Sequence, residues 1–149
     1  MTMQDVLVPI NTPGDASRAA GQAIARYRKE PAHIHLLNVQ RPLPRHVSRF
    51  FGSGDLHDFH RDAGMRVLEP AIRLLDEAGV PHRDHVLVGN PAESIVQFAE
   101  QNKCAEVVLD TQSDGLLAVF GLGSINSQVR HLMQAHAAAA HGSGASNPT

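Results

Sequence analysis

A chain of 149 residues has the size of one domain and is long enough to bury a sizeable core. Apolar residues make up 42%, which excludes a disordered chain, and a formal net charge of -2 excludes the broad basic field of a nucleic-acid binder. Aromatics are only 4%, so the core must be built from Leu, Val, Ile and Ala, and the single cysteine, Cys104, excludes an internal disulfide framework.

Residues 6–10 form a compact apolar run that reads as the first strand, with Pro9 at its end, where a missing ladder donor is tolerated. Thr12-Pro13-Gly14-Asp15 is turn chemistry, and Asp15 is expected to cap a helix reaching residue 27. Ala16, Ala20, Ala23, Ile24 and Tyr27 are the buried stripe of that helix. Residues 33–39 read as the second strand. A long polar connection follows, carrying Pro42, Pro44, Gly52 and Gly54.

A second helix is predicted over residues 58–78. Its stripe of Met65, Leu68, Ile72 and Leu75 is spaced 3, 4 and 3 apart, and Gly79 stands where a helix C-terminal glycine belongs. Residues 85–88 read as the third strand. Asn90-Pro91-Ala92-Glu93 is the strongest local signal: an N-cap, a proline at the first helical position and an acid at the third, opening a helix to residue 102. Residues 105–109 are an almost wholly apolar fourth strand, as expected where both faces of a sheet are covered. The turn Gly121-Leu122-Gly123-Ser124 then precedes Ile125, Val129, Leu132 and Met133 at helical spacing. Residues 137–149 are mostly Ala, Gly and Ser and read as a frayed helix end and a disordered tail, leaving 1–136 as the domain.

Strand and helix alternate throughout, so the expected fold class is α/β: a single doubly wound open parallel sheet with helices on both faces. Ligands of such sheets bind at the carboxyl ends of the strands, where strand order reverses. Those ends are followed here by Asn11 after the first strand and Asp110 after the fourth. The turn at residues 121–124 sits at a helix N-terminus, whose exposed N–H groups and positive dipole end suit a phosphate. Gly123 lets a ligand approach the backbone, and Ser124 can cap the helix or donate its hydroxyl. By itself the same stretch is read first as an ordinary loop and capped helix, because short glycine motifs of this kind are common.

In order and over residues 5–133, these pieces resemble the universal stress protein family. VLVPIN and the Ala-rich helix resemble its opening, LLNVQ its second strand, and VLVGNPAESIVQFAEQNKCAEVVLD its Val-x-Gly-x-Pro segment, third helix and fourth strand. LGSINSQV resembles its Leu-Gly-Ser-Val-Ser-x-x-Val turn and helix. The resemblance implies a Rossmann-like sheet of order 3-2-1-4 and an adenine-nucleotide crevice. Its residues here would be Pro9, Asn11, Val39, Gly123, Ser124, Ile125 and Asn126.

The chain departs from the family pattern in three places. ATP-binding members carry Gly-x2-Gly-x9-Gly-Ser/Thr, and counting back from Gly123 the first two glycines fall on Asp110 and Ser113. Asp110 sets a carboxylate against phosphate, and two unit charges about 4 Å apart repel by roughly 4 kcal/mol at an effective dielectric near 20. Asn11 stands where the family has an adenine-side carboxylate. Nothing after Met133 resembles the usual fifth strand, which pairs across the common dimer. The expected function is therefore a stress-response or signalling module with a degenerate nucleotide pocket, not an enzyme, acting mainly through protein contacts. Its expected partners are copies of itself through a non-standard interface, or another protein, and not nucleic acid. The alternative is an ATP- or AMP-binding stress protein with slow ATP hydrolysis, and ATP or AMP are the only cofactor candidates.

Other constellations carry less. His57 and His60 stand one turn apart among carboxylates, but no third ligand at a recognised zinc spacing is visible, and a solvated helix start is the favoured reading. No pattern supplies Cys104 with a base, so a buried structural thiol is expected. Arg41, Arg45, His46, Arg49, Phe50 and Phe51 place bases beside aromatics, and the favoured reading is a surface loop whose phenylalanines pack back on the domain. No Gly-x-Ser-x-Gly elbow, Walker lysine motif or paired-carboxylate signature is present. No apolar run approaches the roughly 20 residues of a membrane span. The opening MTMQDVLVPI lacks a signal-peptide layout, so a cytoplasmic setting without membrane contact is expected.

Overall fold

Strands and helices alternate through the computed structural model, which describes residues 3–109 and 125–143. Among these residues the elements are β1 (Asp5–Pro9), α1 (Pro13–Lys29), β2 (His33–Gln40), α2 (Arg45–Ser48), α3 (Ser53–Glu77), β3 (His82–Val88), α4 (Pro91–Gln101), β4 (Glu106–Val107) and α5 (Ile125–Ser143). The strands form one parallel sheet of order β3-β2-β1-β4, as expected. β1 is central, and its Val6, Leu7 and Val8 are fully buried because both sheet faces are covered.

Alternation along the strands sorts two cores. Val6, Val8, Ile34 and Leu36 meet α1 and α3 through Ala16, Ala20, Ala23, Leu68, Ala71 and Leu75. Leu7, Leu37 and Val39 meet α4 and α5 through Ile95, Val96, Phe98 and Val129. The alanine stripe leaves α1 no bulk on its inner face, so it packs closely. His136 and Glu100 pair side chains between α5 and α4.

Several element boundaries differ from expectation. α1 begins at Pro13, whose fixed φ suits the first helical position, and Thr12 is the N-cap. Asp15 therefore lies in the first turn instead of capping it, and its carboxylate accepts the Thr12 hydroxyl at 2.8 Å. α3 starts at Ser53, five residues before the predicted 58, and runs through Pro70; the short α2 lies inside the stretch read as a long polar connection. Gly79 closes α3 with φ +71°. Gly79 N–H donates to Asp76 O and Val80 N–H to Leu75 O, the paired bonds that a left-handed residue makes possible at a helix end. α4 ends in the same way with Lys103 at φ +51°, a conformation that costs a non-glycine residue free energy.

β3 begins at His82, three residues before the predicted 85. The Asn90 cap is as read: its side-chain oxygen accepts from Glu93 N–H at 3.2 Å, and Pro91 is the first helical residue. Only Glu106 and Val107 of the predicted 105–109 are strand, although Ala105 N–H donates to Asp5 O and Val108 N–H to Leu7 O on either side. The segment packs on both sides, Val107 against the core under α4 and α5 and Val108 against the core under α1 and α3, while Glu106 is exposed with its carboxylate 2.7 Å from Arg26 Nε. α5 extends to Ser143, so the helix end read in residues 137–149 takes in residues 137–143. Four consecutive alanines, the best helix formers, carry the helix onward. Residues 144–149 lie outside the described residues.

Candidate functional site

The carboxyl ends of β1 and β2 lie side by side, with Pro9 opposite Leu37 in the register and Val39 two residues on. Asn38 locks this edge. It is 1% exposed, its amide donates to Ile10 O at 2.8 Å, and its oxygen accepts from Gln40 Nε2 at 2.6 Å. Ile10 N–H in turn donates to Leu37 O at 2.9 Å. The backbone leaving β1 is thus held from both sides one residue before Asn11.

Of the predicted site residues, Pro9, Asn11 and Val39 share this edge, with Pro9 and Val39 buried and Asn11 half-buried. Ile125 and Asn126 open α5. Gly123 and Ser124 lie outside the described residues, as do Asp110 and Ser113. Sequence reasoning missed Asn38; the available signal was an amide inside the otherwise apolar run Leu36-Leu37-Asn38-Val39.

A histidine chain runs diagonally across the sheet, from Asp5 at the start of β1 through His35 to His85, which is level in register with Leu37 and Pro9. His35 Nε2 lies 2.8 Å from Asp5 Oδ1, and His35 Nδ1 lies 3.1 Å from His85 Nε2. The His85 ring packs on Phe98 with centroids 4.7 Å apart. Burial lowers the pKa of His85 and so do the neighbouring His35 and Arg83, against an opposing pull from Asp84.

His82 is held between Asp84, 2.6 Å from Nδ1, and Asp76, 2.7 Å from Nε2. Burial opposes its charging, but the hydrogen bonds and charges of Asp76 and Asp84 outweigh that, and its pKa is raised above 6.5. Stability from these contacts is therefore fully present below the unfolded value of 6.5 and is lost as pH rises through the higher folded value. His85 works in the opposite sense: its contribution is present above 6.5 and lost as pH falls through its lower folded value. Asp76 is mostly exposed, which screens its share. His82→Gln should cost about 1 kcal/mol at mildly acidic pH and clearly less at mildly alkaline pH. Urea titrations at both pH values measure this, and an equal cost at both would show that His82 carries no charge in the fold.

Cys104 is half-buried, and its thiol is pushed up to about 11 by burial and the nearby Asp5. It stays protonated near neutrality, which disfavours the thiolate a nucleophile needs. His57 is exposed and His60 buried, and among the described residues no group of three or more His, Cys, Asp or Glu side chains is placed to hold a metal ion. Phe51 packs on Phe59 with centroids 5.6 Å apart, as a loop folded back on the domain would have it. Phe50 does not pack back: it is 77% exposed, with the Arg49 guanidinium 5.1 Å from its ring centre. Among the described residues no helix is long and apolar enough to cross a membrane.

A family model described as the universal stress protein family matches residues 2–135. The chain belongs to this family. The universal stress protein in the QAH/OAS sulfhydrylase 3′ region of Thermus aquaticus is 30% identical over 129 residues, covering 83% of this chain and 88% of its own. Among solved structures, the universal stress protein from Archaeoglobus fulgidus in complex with dAMP matches with a TM-score of 0.60 and 21% identity, over 86% of this chain and 89% of that one. A universal stress protein family protein from Arabidopsis thaliana with AMP bound matches with a TM-score of 0.52 and 20% identity, over 78% and 82%. The Rossmann-like sheet of order 3-2-1-4 is the universal stress fold.

Proposed function

We propose that this universal stress protein is a stress-response or signalling module with a degenerate adenine-nucleotide crevice, and that it acts mainly through protein contacts. The observation that carries the reading is the edge formed by Pro9, Asn11 and Val39, braced by Asn38 and therefore pre-organised for a flat ring. AMP and dAMP bind to two relatives of the same fold, which supports an adenine nucleotide as the ligand class. Asn11 brings an amide to that edge, and Asp110 and Ser113 replace two glycines of the phosphate loop. By the family motif these exchanges fall in the phosphate loop, where they weaken polyphosphate binding most, because each further phosphate adds charge that a carboxylate repels. The reading assigns no catalysis. It includes a cytoplasmic setting, supported by a single thiol, and self-association through a surface containing the exposed Phe50 and its neighbour Phe51.

The second reading keeps ATP or AMP as a true ligand, with slow ATP hydrolysis, and the nucleotide-bound relatives favour it. Equilibrium binding of ATP, ADP and AMP, with and without magnesium at near-physiological salt, separates the two. For the unmodified protein ATP should bind with Kd about 100 μM or weaker, equivalent to roughly 5.5 kcal/mol. Asp110→Gly with Ser113→Gly should tighten it about tenfold. Low-micromolar ATP affinity in the unmodified protein overturns the degenerate-pocket reading in favour of the second.

A further inference from the structure

α3 overhangs the outer strand β3 and leaves a groove of about 470 Å³ between them. That volume lies within the range of small-molecule sites. His57, His60 and Arg61 line one wall. With Gly64 they stand at i, i+3, i+4 and i+7, so they share one face of α3 directly above the point where that helix touches β3. At Gly64 the approach is so close that an added Cβ would meet Val86 Cγ1 at 2.4 Å. Over the two turns toward the N-terminus the face carries the three nitrogen-bearing side chains, Arg61 and His60 in the first and His57 in the second.

We propose that this groove binds a compact organic anion, a carboxylate or phosphate head on an apolar body. The head is argued from the donors. Two imidazoles and a guanidinium supply N–H groups from one side, and Arg61 has no carboxylate partner among the described residues. A planar guanidinium matches a carboxylate or phosphate in a bidentate way. His60 is 5% exposed, yet its Nδ1 has no hydrogen-bond partner among the described residues, so this wall is polar beyond what the fold itself satisfies. Among the described residues the one acid on the lining, Asp84, is already engaged by His82 at 2.6 Å, with Asp76 on the far side of that ring.

The body is met by the apolar part of the lining: Val86 and Val88 on the β3 wall and Met65 one turn beyond Arg61 on α3, with Val88 50% exposed at the end of β3. Apolar surface of this kind beside fixed donors is the pattern of a ligand site: burial supplies affinity and the donors set orientation. The groove shares no residue with the edge formed by Pro9, Asn11 and Val39, so the inference is independent of the nucleotide reading.

Amide chemical shifts of the full chain, titrated with phenyl phosphate, benzoate and the uncharged benzyl alcohol, test it. Phenyl phosphate or benzoate should move the amides of residues 57–65 and 84–88 and saturate with Kd of about 1 mM or tighter. Benzyl alcohol should leave them in place. Saturation by only one of the two anions identifies the head group. Arg61→Ala, at an exposed position that does not threaten folding, should weaken binding about tenfold. The proposal is overturned by an absence of saturable shifts, by shifts confined to the Pro9, Asn11 and Val39 edge, by equal binding of benzyl alcohol, or by Arg61→Ala binding like the unmodified chain.

Discussion

Gly64→Ala should destabilise this protein by about 2 kcal/mol net, although alanine in a helix interior is ordinarily worth roughly 1 kcal/mol more than glycine. The new Cβ would lie 2.4 Å and 2.7 Å from the two methyl carbons of Val86. Valine is β-branched and stiff at χ1, so it cannot swing aside. α3 must instead lift from β3, which opens the core around Leu68 and widens the groove above. Val86→Ala should relieve the clash, so the double variant should be more stable than the two single costs predict. A double-mutant cycle by urea denaturation reads that coupling. A raised midpoint for Gly64→Ala alone would mean that the helix does not approach the strand this closely.

Asn38→Ala should cost about 2–3 kcal/mol and loosen the crevice. The substitution strips Ile10 O and Gln40 Nε2 of their partner in a site where Asn38 is almost fully buried. Buried groups left unpaired cost more than the bond itself was worth. Because Ile10 precedes Asn11, faster amide exchange at residues 10 and 11 should accompany the lost stability. Asn38→Leu, which refills volume without restoring either hydrogen bond, should recover little. Full recovery by leucine would falsify the view that Asn38 acts through its polar atoms.

What the sequence by itself determined is the local alphabet of the fold. The 3-4-3 spacing of Met65, Leu68, Ile72 and Leu75 specifies a helix, because only a 3.6-residue period gathers those side chains on one face. Asn90-Pro91 specifies a helix start and Gly79 a helix stop, because their backbone and hydrogen-bonding needs are local. Alternation of the elements then implies a parallel sheet. Of the candidate site, Asn11 was legible as the residue that follows the first strand at the carboxyl edge of a parallel sheet, while Pro9 and Val39 were legible only through the family resemblance, since nothing in their spacing marks a ligand.

Only the tertiary structure decided the rest. His82-Arg83-Asp84 reads as a polar connection, yet it is the first half of β3, because the backbone of β2 offers it a ladder and His82 finds Asp76 and Asp84. The brace from Asn38 to Ile10 spans 28 residues, and the contact of His35 with His85 spans 50. Periodicity encodes which face a side chain takes but not which strand lies beside it. That choice is settled when both sheet faces are buried at once, since a one-residue slip in register would turn every core side chain to the wrong side.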